Sequence, residues 1–137
     1  MTSIRLLTTD EVIEIQRRTL PNSGAPHMDK LEGALGRVDA LIKYDSENAD
    51  LFTIASAYLV GIAKAHAFND ANKRTAFQAA CVFLLMNKVV LLPSVWLVKL
   101  TILAATGDAD IKNTATTLKV LSNYKNELLQ ETHSGYN

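Results

Sequence analysis

Apolar residues recur at three- and four-residue spacing along almost the whole chain, a period that predicts helices from end to end. Thr8, with Glu11 three residues on, forms a capping box. Val12, Ile13, Ile15 and Leu20 follow it toward a stop at Pro21. Pro21 to His27 holds Asn22, Ser23, Gly24 and Pro26 and reads as a loop. Asp29 followed by Glu32 repeats the capping signal, and Leu31, Leu35, Val38, Leu41 and Ile42 lay one apolar stripe as far as Tyr44. Asp45 to Asp50 is polar and predicts a turn.

Leu51 to Ala67 differs in kind. Phe52, Ile54, Ala55, Tyr58, Leu59, Val60, Ile62 and Ala63 leave hardly any polar face, the mark of a helix buried on most sides. Phe68 to Asn72 interrupts it, and Ala76 to Met86 is again apolar around most of its circumference. Pro93 opens a further helix from Val95 to Thr106, which Gly107 closes. Asp110 caps a last one carrying Ile111, Ala115, Leu118, Leu121, Tyr124 and Leu128 on one face, and Glu131 to Asn137 reads as a frayed tail. The best strand signal, Val89 to Leu92, is short. The pattern therefore predicts an all-α domain of about six helices, with two buried helices flanking a short polar connection at its centre.

Composition narrows the function. A chain of 137 residues, 48% hydrophobic, is long enough for one domain over residues 1–137 with its own core, and excludes a disordered protein. Lys plus Arg number 14 and Asp plus Glu number 14, so the net charge is zero and a basic, nonspecific nucleic-acid surface is excluded. The longest apolar run, Ala79 to Met86, is far too short to span a membrane. The first residues lack the pattern of a secretion signal, and Cys81 stands alone, so a reducing cytoplasm is the expected compartment. His27, His133, Cys81 and Trp96 carry no signal beyond ordinary packing or surface roles.

The candidate chemistry lies in His66-Ala67-Phe68-Asn69-Asp70-Ala71-Asn72-Lys73-Arg74, which separates the two most apolar segments. A loop there sits where core meets solvent. A helix starting near Asn72 would present free N–H groups as an anion site. Lys73 and Arg74 oppose the dipole of that first turn, so they point to an external polyanion such as a phosphate chain. His66, ending the preceding helix, is placed to take a proton from an attacking hydroxyl. Asp70 suits one carboxylate contact to Mg²⁺, Asn72 a bond to a phosphate oxygen, and Lys73 and Arg74 the charge of a transferring phosphoryl group. Phe68 is expected to point into the core. The ordinary reading, in which histidine, aspartate and asparagine cap helices and the cations are solvated, leaves nucleotide chemistry at about even odds on spacing alone. His66 and Asp70 have no second histidine or cysteine nearby for zinc, and no Gly-rich phosphate loop is present.

The run resembles the signature of the Fic/Doc family, His-x-Phe-x-Asp/Glu-Gly/Ala-Asn-Gly/Lys-Arg, at every specified position. The similarity extends from about Leu31 to Leu121 and is nearest to the Doc, or death-on-curing, branch. Fic proteins move AMP from ATP onto a target hydroxyl, with glycine where Lys73 stands and a second arginine where this chain has Phe77. Those departures favour the reversed nucleotide of Doc-like toxins, which transfer the γ-phosphate to a threonine of elongation factor Tu and arrest translation. On that resemblance His66 is the general base, Asp70 holds Mg²⁺, and Asn72, Lys73 and Arg74 bind the ATP phosphates. It further implies a small Phd-like antitoxin that folds onto the chain, for which an exposed groove lined by the first two helices is the expected receptor. Two alternatives stay open: an adenylyl transferase, and a catalytically silent co-regulator that binds the antitoxin.

Overall fold

The computed structural model describes residues 4–22, 24–67 and 72–135, with side chains as far as residue 123. Its elements are α1 (Thr9–Thr19), α2 (Met28–Tyr44), a single 3-10 turn (Ser46–Asn48), α3 (Leu51–Ala65), α4 (Asn72–Met86), α5 (Val95–Thr106) and α6 (Ile111–Gly135). No strand occurs among the described residues. The all-α, six-helix expectation holds.

Helix α3 is the axle, and α2, α4, α5 and α6 all pack on it. Its sequence dictates this, because a helix apolar on every side is stable only when covered on every side. Ile54, Leu59 and Ile62 of α3 are fully buried with Leu31 and Val38 of α2, Phe83 and Leu84 of α4, Leu97 of α5 and Leu118 of α6. Each such side chain contributes about 1.5–3 kcal/mol relative to exposure. Gly61 faces Ala34, so α2 and α3 approach with no side chain between them. The Ser56 hydroxyl donates to the Ile111 carbonyl at 2.6 Å and ties α3 to the start of α6.

Polar side chains fix the segment ahead of α1. The Leu7 N–H donates to the Tyr58 hydroxyl at 2.9 Å, and the Tyr58 ring lies 5.3 Å from that of Phe83. Asn87 accepts from the Arg5 N–H and donates to the Arg5 carbonyl, both at 2.9 Å. The capping box read from Thr8 and Glu11 is present in both directions. Asp50, Ser94 and Asp110 each accept an N–H three residues on, at 2.8, 3.2 and 2.8 Å, and so cap α3, α5 and α6.

The structure corrects two local readings, at the start of α2 and the end of α3. Asp29 and Glu32 do not cap α2; its N-cap is His27, which makes no side-chain capping bond. The start of α2 is set instead by a long-range bond from the His27 N–H to the Ala67 carbonyl. Helix α3 ends at Ala65, two residues early, because His66 adopts the left-handed conformation. Val89 to Leu92, the best of the weak strand signals, forms no strand, in keeping with the all-α reading; Leu91 is buried and Val90 and Leu92 are exposed. Helix α6 runs to Gly135, with no glycine or proline before that residue to break it. The apolar positions read at Tyr124 and Leu128 lie outside the described side chains.

Candidate active site

The polar run sits at the junction of α3 and α4, as its sequence position requires. His66 is the C-cap of α3, with φ 51° and ψ 39°, a conformation that costs a non-glycine residue about 1–2 kcal/mol. That turn takes the chain off the buried axle and leaves the His66 side chain exposed, while Ala67 beside it is fully buried. The Ala67 carbonyl accepts from the His27 N–H, so the start of α2 grips the chain one residue beyond His66. His27 is thus a participant that sequence reasoning missed. Its contribution is a backbone bond between residues forty positions apart, which leaves no trace in residue type.

On the other side of the run, α4 begins at Asn72, so Asn72, Lys73 and Arg74 make up its first turn. No acidic residue shares that turn, and Lys73 and Arg74 are exposed. The salt bridges among the described residues run from Glu14 to Arg17 and Arg18, at 2.7 and 2.9 Å, and include neither cation. A positive helix end therefore carries two further positive charges without a carboxylate partner among the described residues. Such an arrangement is stabilised by an anion from outside. Phe68 and Asp70 lie outside the described residues. Among those described, no group of three or more histidine, cysteine, aspartate or glutamate side chains is placed to hold a metal ion.

One turn beyond Arg74, Phe77 is buried in the core, as its aromatic character predicts. Arg74, Gln78 and Val82 follow one another along the face of α4 toward α1. With Glu11, Glu14, Ile15, Arg18 and Thr19 of α1 they line a cleft of about 590 Å³ that opens beside the cationic turn. The cleft therefore lies between α1 and α4. Arg17 and Arg18 hold the Glu14 carboxyl below its usual range, chiefly through the Arg18 hydrogen bond, so this wall carries a fixed charge.

The model of the Fic/DOC family matches residues 6–84, which takes in α1, α2, α3 and nearly all of α4 together with the motif between them. This chain belongs to the Fic/DOC family. The Protein kinase doc of Escherichia phage P1 is 38% identical over 122 residues, a match that covers 86% of this chain and 96% of that protein. The exposed His66 and the cationic start of α4 are therefore the two described halves of a Fic/DOC motif.

Proposed function

We propose that this Fic/DOC-type protein kinase acts as a toxin, moving the γ-phosphate of ATP to a threonine hydroxyl of elongation factor Tu and so arresting translation. The observation that carries the reading is the cationic first turn of α4, without a carboxylate partner among the described residues, following the motif that begins at an exposed histidine. Support comes from the family itself, from a relative named as a protein kinase, and from Lys73 and Phe77 standing where AMP-transferring members have glycine and arginine.

In this mechanism His66 removes the proton as the threonine oxygen bonds to the γ-phosphorus, and the bond from that phosphorus to the β–γ bridging oxygen breaks to release ADP. Lys73 and Arg74 balance the charge that spreads over the transferring group, and Asn72 with the amides of the first turn orients the phosphate oxygens. Asp70 would hold Mg²⁺, whose role is to neutralise the phosphates; a single carboxylate suits an ion that takes its remaining ligands from phosphate and water. Phe68 would anchor the loop. The protein works in the cytoplasm, where its target resides and where Cys81 stays reduced.

A Phd-like antitoxin would seat an amphipathic segment in the α1–α4 cleft, its apolar side on Ile15 and Val82 and a carboxylate toward Arg18 and Arg74. That placement shields the cationic turn. The test is incubation of the purified chain with elongation factor Tu and ATP labelled at the γ or the α position. Label from the γ position alone, lost in His66→Ala, is the expected result. Label from the α position would overturn the kinase reading in favour of AMP transfer. Undiminished toxicity of His66→Ala in growing cells would favour a catalytically silent co-regulator.

A further inference from the structure

Helix α3 carries His66, but in a conformation that α3 by itself disfavours. His66 stands at φ 51° and ψ 39°, in the left-handed region where a Cβ crowds the following carbonyl oxygen. A histidine that continued the helix would keep φ negative. Its side chain is exposed, so its aim depends on the backbone that bears it. The residue after it is held from outside α3: the carbonyl of Ala67, a fully buried residue, accepts from the His27 N–H.

That donor is itself fixed. The His27 carbonyl accepts from the N–H groups of Lys30 and Leu31, each at 3.1 Å, so the His27 backbone belongs to the first turn of α2. Farther along α2, Leu31 and Ala34 are buried, and the Ala34 carbonyl oxygen lies 3.6 Å from where a Cβ on Gly61 of α3 would stand. The connections close a ring. Helix α3 leads through His66 to Ala67, Ala67 is tied to His27, and α2 brings His27 back onto α3. Returning His66 to a negative φ would swing the following peptide and carry the Ala67 carbonyl off its donor. The left-handed turn and the His27 bond therefore stand or fall together.

We propose that the His27 N–H is a positioning group: through the Ala67 carbonyl it locks His66 in the left-handed turn and so aims the imidazole at the acceptor hydroxyl. This rests on the reading of His66 as general base. A base must come within hydrogen-bond reach of the proton it removes, and a misplacement of about 1 Å can cost about a hundredfold in rate.

Two variants at one position isolate the donor from the side chain. His27→Ala keeps the N–H, and His27→Pro removes it at a φ of −81°, which proline accepts. With elongation factor Tu and magnesium ATP, His27→Pro should show a kcat about ten- to a hundredfold below that of His27→Ala, with KM for ATP within about twofold. An ester in place of the Pro26–His27 amide removes the same N–H without the bulk of the ring and should repeat that split. Equal kcat in the proline and alanine variants, or a loss that falls on KM instead, overturns the proposal. The sign of φ at His66, read by NMR from Cα–Hα couplings, is followed without any activity. It should be positive in wild type and His27→Ala, and negative in His27→Pro and the ester. Wild type that transfers no phosphate sinks the general-base reading, whereas a positive φ that survives loss of the N–H sinks the lock itself.

Discussion

Cys81 and Thr75 are two buried residues of α4 whose polar atoms have different consequences for the chain. Burial pushes the Cys81 thiol from its usual 9.0 up to about 11. The thiolate, not the thiol, is the nucleophile, so Cys81 in the folded chain should resist iodoacetamide at pH 8 and react only on denaturation. The same shift sets a stability slope. Between pH 9 and about 11 the unfolded chain has lost the thiol proton and the folded chain retains it, so stability falls as pH rises through that window. Tyr58, raised by burial from 10.0 to about 12, extends the fall. Urea titrations at pH 8 and pH 10.5 should show the loss, and Cys81→Ala should reduce it. Thr75 is fully buried in α4, and its hydroxyl has no partner among the described residues. Thr75→Val removes that unsatisfied group while keeping the shape, and should raise stability by about 1 kcal/mol in urea denaturation. The burial of both residues follows from the apolar pattern of α4; the missing partner of Thr75 does not, since it depends on what the neighbouring helices present.

Among the elements, the caps explain which boundaries the sequence announces. Thr8, Asp50, Ser94 and Asp110 are short oxygen-bearing side chains, and each acts within three residues of itself, so local pattern suffices to find them. His27 begins α2 through a tertiary bond, so that boundary is not legible locally, whereas His66, read as the end of α3, closes it in a conformation that its residue type disfavours. Two left-handed caps give opposite predictions. Gly107 closes α5 at φ 87°, and a Cβ there meets nothing within 4 Å, so Gly107→Ala pays only the conformational cost and should lose about 1 kcal/mol. Lys88 sits at φ 68° after α4, and Lys88→Gly should gain about 0.5–1 kcal/mol. Thermal unfolding of both variants beside wild type measures the two signs.

For the molecule as a whole, sequence periodicity reveals how many helices there are and which are central, because α3 and α4 are apolar around most of their circumference and α1 and α2 along one stripe. It does not reveal which apolar residues stay in water. Trp96, Val95 and Ile102 look like core residues in the sequence, and only the packing of α5 on one side leaves them exposed. The cleft is hidden for a related reason, since Ile15, Arg18, Arg74 and Val82 come from two helices that meet only in the folded chain. The motif run was legible because its residues match a family signature position by position; spacing alone left nucleotide chemistry at about even odds. At the junction of α3 and α4 the proposed function requires the cationic first turn of α4 to grip a triphosphate. Isothermal titration of the chain with magnesium ATP tests it most directly. Wild type should bind, and Lys73→Ala and Arg74→Ala should each weaken binding by about ten- to a hundredfold, the worth of one charge-assisted contact to phosphate. No heat of binding to wild type, or equal affinity in both variants, would contradict the account.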